Sequence, residues 1–423
     1  MTALHFVNAR IIDPETGSER SGSLAVVGGV IAERPPEGAA QIDCGGHCLA
    51  PGIVDIGVKV CEPGERHKES FRSAGRAAAA GGVTTIVTRP DTMPAIDTPE
   101  TLEFIARRAA QDCAVRIAPM AALTKGRAGR EMSEIGLLKD AGAAAFTDCD
   151  AVLDDTKVLV RALTYARSCD VLVLGHPQEP LLSQGAAATA GAFASGAGLP
   201  AVSPMAERMG LDRDIALVEM TGVRYHADQI TAARSLPALE RAKSNGFDIT
   251  AGTSIHHITL SEKDVAGYRT FFKVKPPLRS DQDRQAIRAA LASGLIDTIS
   301  SMHTPQDEES KRLPYAEAAS GAVGLETLLP AALRLVEDDT LTLPGLWQKI
   351  SLAPAKRLGL PQGRLTPGAP ADLVLFDPAT RYTLDRATLF SKSKNTPFDG
   401  AEMRGRVLKT WVGGVEVFAQ DDA

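Results

Sequence analysis

The sequence lacks the long apolar stretches and the leader pattern that take a chain into or across a membrane. No run approaches the ~18 uncharged apolar residues of a membrane helix, and residues 1–10 enter a strand-like pattern instead of a signal-peptide layout. The six cysteines are scattered and form no CxxC pair, which is typical of reduced thiols. We therefore expect a cytoplasmic protein without a membrane partner.

An excess of positive charge is also missing. The formal net charge is −6, which gives no electrostatic reason to expect nucleic acid or an anionic membrane as a partner. No glycine-rich phosphate loop, nucleotide fingerprint or Ser-His-Asp arrangement stands out. Hydrophobic residues nevertheless make up 44% of the chain, so a large globular core is expected.

Short apolar runs alternate with helical patterns through the middle of the chain. Eight runs have the composition of buried strands, at 52–60, 83–88, 115–122, 143–148, 171–176, 223–228, 248–254 and 297–301. Helical stretches lie between most of them, at 70–80, 98–110, 155–168, 212–220, 236–244 and 282–292. This alternation predicts an α/β fold, a TIM-type (β/α)8 barrel over residues 51–362. The Gly/Ala/Ser-rich stretch 183–201 is either a mobile segment or a long strand-to-helix connection.

Both ends of the chain show a different pattern. Residues 1–50 and 363–423 alternate short β-like runs with turn residues, which predicts small antiparallel sheets. Because they flank a barrel from opposite ends, we expect one composite β-sandwich domain. The Cys-Gly-Gly-His-Cys stretch at 44–48 has two interpretations, a turn or half of a zinc site.

The site of such a barrel forms at the carboxyl ends of the strands. Polar or charged residues follow most of the predicted strands, which makes these positions candidates. They are Asp55 to Lys59, Arg89 to Thr92, Thr147 to Asp150, His176, His226 to Gln229, His256 and His257, and Ser301 to Thr304.

Five segments together resemble one family. They span residues 51–98, 271–287, 303–330, 363–378 and 391–407, and include PGIVDIGVKV, FFKVKPPLR, GRLTPGAPADLVLFDP and KNTPFDG. In this order they resemble the dihydroorotases, amidohydrolases that close dihydroorotate in pyrimidine synthesis. The resemblance runs nearly end to end, and it implies a metal site at the strand ends of the barrel.

The sequence departs from the family pattern where that metal would bind. The family motif of the first strand is Asp-x-His-x-His, and this chain keeps Asp55 but has Gly57 and Lys59 for the histidines. The strand-six histidine aligns with Gln229, and the strand-eight aspartate, both ligand and general base, aligns with Met302.

Other positions of the family site are also changed, and some of its residues are kept. Cys61 stands where an arginine usually holds the substrate carboxylate, and Asp91 replaces an amide. The strand-four pair of aspartates is Asp148 and Cys149, while the strand-five histidine is kept as His176.

These departures bear directly on the family's chemistry, which needs a metal-bound hydroxide and a polarised amide carbonyl. Gly57 offers no donor atom, the Lys59 ammonium has no free lone pair, and Met302 cannot accept a proton. We therefore expect a vestigial pocket with no catalytic residue, no metal and no cofactor. Lys59 either replaces the cation beside Asp55 and Asp148 or extends its charge to solvent.

Two functional hypotheses follow from the resemblance. Degenerate dihydroorotase-like proteins serve in bacteria as scaffolds for aspartate carbamoyltransferase, which implies an inactive subunit in a hetero-oligomer with the transferase catalytic chain, or a homodimer. The alternative is an active cyclic amidohydrolase that binds one zinc ion at His176, Asp148 and either His303 or His257. Otherwise we expect structural roles for His256, His257, Arg279 and Asn395, the last two holding loops in place.

Overall fold

The computed structural model describes residues 3–420, whose strands form an α/β barrel and one sheet built from both ends of the chain. In chain order the strands are β1 Ala3–Asp13, β2 Ser18–Val27, β3 Val30–Ala32, β4 Ala40–Asp43, β5 Cys48–Pro51, β6 Ile53–Val58, β7 Val83–Thr88, β8 Arg116–Pro119, β9 Leu172–Gly175, β10 Ala188–Thr189, β11 Ala201–Val202, β12 Arg224–Ala227, β13 Ile249–Ser254, β14 Thr298–Ser300, β15 Leu373–Thr383, β16 Glu402–Val412 and β17 Val415–Ala419.

The barrel consists of two groups of parallel strands. Strands β6, β7 and β8 pair in that order, and β9, β12, β13 and β14 form the second group. Every residue of β6 and β7 is buried, as expected for apolar strands covered on both faces. Seven of the eight predicted runs therefore contain a strand of the barrel.

The fourth run, predicted as a strand over 143–148, is reduced to a single paired residue. Phe146 bridges Ala121 on one side and Val173 on the other, both in parallel. The pairing stops there because the chain turns at Asp148, whose carboxylate accepts the backbone N–H groups of Leu123 and Thr124. The run therefore occupies the fourth place in the barrel without forming a regular strand.

The barrel closes between β14 and β6. The Lys59 N–H donates to the His303 carbonyl at 2.9 Å. Below it, the carboxylate of Asp55 accepts the backbone N–H of Ser301 at 2.9 Å. A side chain thus replaces a backbone carbonyl at this seam, which gives Asp55 a structural role in closing the barrel.

The helices lie between the barrel strands or follow the last barrel strand, β14, before the chain enters β15. They are α1 Phe71–Ala80, α2 Pro99–Asp112, α3 Ile135–Asp140, α4 Thr156–Ser168, α5 Pro180–Ser183, α6 Ala192–Ala197, α7 Met205–Thr221, α8 Leu236–Ser244, α9 Ile255–Thr259, α10 Asp281–Ala292, α11 Glu308–Lys311, α12 Leu328–Ala332, α13 Arg334–Glu337, α14 Leu343–Trp347 and α15 Ala353–Leu358. Short 3-10 turns cover Lys125–Arg127, Ala233–Ser235, Glu262–Gly267, Thr270–Phe272 and Arg386–Thr388, and a π-helical turn covers Gln348–Leu352.

Capping residues explain why several helices begin where they do. The side chains of Ser70, Thr98, Asp155 and Ser280 each accept a backbone N–H from the first turn of α1, α2, α4 and α10. The predicted helices start within two residues of these positions. Only α7 is markedly longer than predicted, since it begins at Met205 instead of 212.

The Gly/Ala/Ser-rich connection 183–201 is partly ordered by its own secondary structure. It contains β10 and α6. Strand β10 pairs in parallel with β11, which begins at the last residue of the connection. The Thr189 hydroxyl also donates to the Leu278 carbonyl at 2.9 Å. The connection is therefore tied to the barrel through hydrogen bonds.

The two ends of the chain share one eight-stranded sheet, which confirms a composite terminal domain. Its order is β17-β16-β15-β5-β1-β2-β3, with β4 paired to β1. The pairing of β15 with β5 joins the carboxyl-terminal strands to the amino-terminal ones. At residues 44–48 the chain forms a turn, in which the His47 N–H donates to the Cys44 carbonyl at 2.9 Å.

The sheet and the barrel share an apolar boundary. The ring of Trp347, fully buried, stacks on Phe376 of β15 with 4.7 Å between the ring centroids. Its indole N–H donates to the Pro51 carbonyl at 2.8 Å, immediately before β6. Across residues 3–420, no helix is both long and apolar enough to span a membrane.

Candidate functional site at the carboxyl ends of the barrel strands

Asp55, which is fully buried, and Asp228, which is half-buried, are two carboxyl groups below the strand ends. Burial raises the pKa of Asp55 to about 7, the hydrogen bonds from Ser301 oppose the rise, and the charge of Asp228 adds to it. Burial likewise raises the pKa of Asp228 to about 6, against the lowering effect of Arg89 and of hydrogen bonds from Gln229. Within residues 3–420, Oδ2 of Asp55 has no hydrogen-bond partner. Burial at the floor of the site therefore disfavours the ionised form of both carboxyl groups.

Gly57 and Met302 fit together sterically. Gly57 has a φ of +90°, and a β-carbon built on it would lie 3.0 Å from the Met302 sulfur. Such a distance is shorter than nearly all β-carbon contacts, so a side chain at 57 requires Met302 to move. The two departures from the family pattern are thus coupled, because the thioether occupies space beside a residue without a side chain.

Lys59 is fixed in ion pairs at the strand end. Its Nζ lies 3.2 Å from Glu65 Oε2 and 3.6 Å from Asp91 Oδ2, and only 14% of its side chain is exposed. Burial lowers the pKa of Lys59, but Asp91, Cys61 and Glu65 outweigh it, so the pKa is raised and the ammonium persists.

These contacts correct the expectation for Lys59. Among the described residues, its ammonium has neither Asp55 nor Asp148 within ion-pairing distance, and it does not extend into solvent. The replacement of an amide by Asp91 supplies its partner instead. The two changed positions therefore balance each other in charge.

Arg89 extends this pair into a chain of alternating charges. Its guanidinium lies 3.1 Å from Asp91 Oδ2 and 3.6 Å from Asp150 Oδ1, and only 9% of the side chain is exposed. Asp150 in turn lies 3.0 Å from Arg127 and 3.2 Å from Lys275. Burial raises the pKa of Asp150, but Arg89, Lys275 and Arg127 outweigh it and hold the pKa below its usual range.

We call the residues Glu65, Lys59, Asp91, Arg89 and Asp150 the charge chain. From the sequence, Arg89 and Asp150 are candidates by position alone, without an assigned role, and Lys275 is not a candidate. Arg89 and Asp150 do stand at predicted strand ends, and a cation two residues before Asp91 is the pattern that could have identified Arg89. Lys275 offered no such pattern, because it lies in the long segment between β13 and α10.

Asp148 and Cys149 have structural surroundings. The Asp148 carboxylate accepts the N–H groups of Leu123 at 2.9 Å and Thr124 at 3.0 Å, and also the Thr124 hydroxyl. Burial raises the pKa of Asp148 despite these hydrogen bonds. Cys149 has a φ of +55°, and burial raises the pKa of its thiol to about 12. Asp148 is thus a partner of backbone amides instead of Lys59.

His176 is kept at the end of β9 as a neutral side chain. Burial lowers its pKa to about 3, and the nearby Lys275 and Arg89 lower it further, against the opposing effect of Asp150. No described residue accepts from or donates to its Nε2. The neighbouring Gln229 is buried and has a φ of +58°, so it lies at a turn of the strand-six end.

His303 is turned away from the strand ends. Its Nδ1 accepts the backbone N–H of Gly324 at 3.1 Å, so the ring proton resides on Nε2. That atom lies 3.5 Å from Oε2 of Glu69. Glu69 is fully buried and also accepts the hydroxyls of Ser73 and Ser391. His303 therefore joins the barrel to the segment after α1.

The remaining expected residues are mostly structural. Burial raises the pKa of the Cys61 thiol to about 12. His257 bridges Ser254 and the Pro276 carbonyl, as expected for a structural residue. Arg279 and Asn395 hold loops as predicted, since Arg279 bonds Glu207, Thr231 and Thr189, and Asn395 bonds Thr304, Gly321 and Gln306.

These donors do not fit a catalytic metal ion. Between residues 3 and 420, no group of three or more His, Cys, Asp or Glu side chains is arranged to hold one. Asp148 and His303 have other partners, as described above. The cations of Lys59 and Arg89 lie at the strand ends, where they repel a metal ion.

The space beside Met302 at the strand ends is small. A cavity of about 50 Å³ lies there, lined by Arg89, Gln229, His256, Lys275 and Met302 among others. Ligand pockets are typically about 300–1,000 Å³. A larger cavity of about 460 Å³ opens beside it, next to His176, Gln178 and Lys275.

Comparisons with known proteins agree with the fold and identify the family. A model described as dihydro-orotase-like matches residues 46–235. A "Dihydroorotase-like protein" of Pseudomonas putida is 39% identical over 416 residues, covering 97% of this chain and 98% of that protein. A "Dihydroorotase" of Anaplasma phagocytophilum (strain HZ) is 38% identical over 424 residues, covering 98% and 94%.

Solved structures share the same architecture. The L-hydantoinase of Arthrobacter aurescens superposes with a TM-score of 0.90 at 24% identity, covering 100% of this chain and 97% of that one. A dihydropyrimidinase of Brevibacillus agri NCHU1002 gives a TM-score of 0.86 at 19% identity, covering 99% and 95%. The fold is thus the amidohydrolase type of barrel. On the full-length likeness to its relatives, this chain belongs to the dihydroorotase-like family.

Proposed function

We propose that this protein is a catalytically inactive dihydroorotase-like subunit of pyrimidine biosynthesis, which assembles with the catalytic chain of aspartate carbamoyltransferase. The charge chain is the observation that carries the first half of this proposal. Lys59 and Arg89 both pair with Asp91 at the place where the family pattern has a metal ion and an anionic substrate.

The position of the family's general base, now Met302, also lacks a group that could activate water. A general base must accept and return a proton near the operating pH. Met302 has no such capacity, and the buried His176 titrates at about 3. The cavity of about 50 Å³ beside Met302 is small for a six-membered ring with a carboxylate. The adjoining cavity of about 460 Å³ is lined by His176 and by Asp150, which is held in ion pairs. Together these features favour a fold retained for a purpose other than hydrolysis.

Metal content and turnover test the loss of activity. The purified full-length chain, equilibrated with zinc and then desalted, is assayed for bound metal and for dihydroorotate hydrolysis and ring closure. We expect substoichiometric zinc and no turnover above the buffer rate. Stoichiometric zinc together with turnover that His176→Ala abolishes would show that the first half of the proposal is wrong.

The assembly role rests on what the resemblance implies about degenerate members of the family. Co-expression with the aspartate carbamoyltransferase catalytic chain of the same organism tests it. We expect the two chains to co-elute from a sizing column in a fixed ratio measured by light scattering. Separate elution, with this chain as a monomer or homodimer, would refute a stable complex.

An active cyclic amidohydrolase with a rebuilt site is the second candidate. One observation favours it, since Nε2 of His176 is buried and lacks a partner within the described chain. Such a site would have to release Asp148 from Thr124 and His303 from Gly324. The zinc and turnover measurements above decide between the two candidates.

A further inference from the structure

A basic groove lies outside the strand-end site, between the first two helices of the barrel. We define it by Arg66, Arg72, Arg76, Arg108 and Lys392, which surround a cavity of about 550 Å³ together with Glu62 and Asp112. Five cationic side chains and two carboxylates leave an excess of three positive charges. This contrasts with the net charge of −6 of the whole chain.

The two carboxylates hold three of the guanidinium groups in place. Glu62 Oε1 lies 3.1 Å from Arg66 and 3.2 Å from Arg108. Asp112 lies 2.5 Å from Arg108 and 3.2 Å from Arg72. Each carboxylate is therefore shared by two arginines, so like charges that repel one another are kept close together.

The carboxylates lie beneath the arginines instead of beside them. Only 3% of the Glu62 side chain and 16% of the Asp112 side chain are exposed, against 60% for Arg66 and 76% for Arg72. The Phe71 N–H also donates to Glu62 at 3.0 Å and fixes it from below. A ligand that enters the groove therefore meets guanidinium N–H groups before it meets negative charge.

Two further cations are oriented without a carboxylate partner in the described chain. The Arg76 guanidinium stacks over the Phe390 ring, 4.8 Å from its centroid. The Lys392 ammonium donates to the Arg66 carbonyl at 2.8 Å. Since neither charge is neutralised by these contacts, both remain available to an anion.

We infer that this groove binds a small ligand carrying a diphosphate or triphosphate group. Planar guanidinium groups bind phosphate oxygens in pairs, and a concave surface lined by charges of one sign concentrates counter-ions. An excess of three charges matches a polyphosphate better than a single carboxylate. The cavity volume also falls in the range of ligand pockets.

Calorimetric titration of the purified full-length protein tests this site, with inorganic tripolyphosphate as the probe. The variant Arg72→Gln with Arg76→Gln removes two exposed charges of the groove. The matched control, Arg130→Gln with Arg312→Gln, removes two equally exposed arginines elsewhere, whose side chains are 71% and 76% exposed. We expect the groove variant to bind on the order of tenfold more weakly or worse, and the control to bind like the wild type.

Parallel titrations with orthophosphate, pyrophosphate and adenosine triphosphate distinguish the sources of the ligand. Tighter binding of the nucleotide than of tripolyphosphate supports a nucleotide site, and equal binding supports recognition of the phosphate chain alone. Absence of binding by the wild type, or an equal loss in both variants, overturns the proposal. The proposal is also overturned if the groove variant binds tripolyphosphate like the wild type but no longer associates with the transferase chain, because the groove would then bind a protein.

Discussion

The sulfur of Met302 lies 3.0 Å from the point where a β-carbon of Gly57 would stand. A residue without a side chain and a bulky thioether thus occupy one space at the end of the first and last barrel strands. In the same site Lys59 and Asp91 are paired in charge. Losses that look independent along the sequence therefore form two compensating pairs in space.

Gly57→Ala should destabilise the protein. The residue has a φ of +90°, which a β-carbon strains, and the methyl group meets Met302. We expect a loss of roughly 2–4 kcal/mol in the free energy of unfolding, from strain and overpacking together. Urea denaturation measures it. Met302→Ala in the same chain should recover the packing part only, so strictly additive effects of the two changes would contradict the coupling.

Lys59→Met should also destabilise the protein, because it leaves Asp91 and Glu65 without one of their cations. We expect a loss of roughly 1–3 kcal/mol, since Arg89 and Lys68 still accompany the two carboxylates. A double-mutant cycle with Asp91→Asn, followed by urea denaturation, isolates the pair. A coupling energy near zero would mean that Lys59 and Asp91 do not compensate each other.

Asp55→Asn should change how stability depends on pH. The folded pKa of Asp55 is raised to about 7 by burial, above the usual value of 3.8, so its contribution is full below pH 4 and is lost as pH rises towards 7. Asparagine keeps the acceptor for Ser301 but cannot ionise. The variant should therefore gain on the wild type by on the order of 2–4 kcal/mol between pH 4 and 8.

The control for this pH effect is Asp154→Asn, at a side chain that is 53% exposed. Glu326, whose pKa burial also raises to about 7, is present in both proteins and cancels in the difference. Asp228 interacts with Asp55, so its own titration forms part of the measured difference. Unfolding free energies are measured by urea titration at intervals of one pH unit. A difference between Asp55→Asn and wild type that is constant from pH 4 to 8 would count against a neutral Asp55.

The sequence was sufficient to predict the barrel, because apolar runs and helix caps are local features of the chain. It also located the departures at 57, 59, 229 and 302 through the resemblance, since those depend only on residue identity. The partners of Lys59 could not be derived, because Glu65 and Asp91 approach it through separate loops. The orientation of His303 towards Glu69 likewise depends on the Gly324 N–H, 21 residues along the chain.

Glu69→Ala should be among the more destabilising single changes at this end of the barrel. Its carboxylate is fully buried, and its loss leaves the hydroxyls of Ser73 and Ser391 without their acceptor and removes the carboxylate that lies 3.5 Å from Nε2 of His303. We expect roughly 3–5 kcal/mol, the cost of breaking a buried charged network. Glu69→Gln, which keeps the shape and an acceptor oxygen, should cost less. Equal losses in both variants would assign the effect to packing instead of hydrogen bonding.

Removal of divalent metal should leave the stability of this protein unchanged. The side chains at the strand ends are occupied by one another, as Lys59 with Asp91 and Asp148 with Thr124, so a bound ion is not needed to hold them. A ligand present at 100 times its Kd adds about 2.7 kcal/mol to stability, which shifts the melting temperature by several degrees. We therefore expect the same Tm by calorimetry after dialysis against a chelator and after addition of zinc. A fall of several degrees on chelation, restored by zinc and absent in His176→Ala, would reveal a metal site at the end of β9.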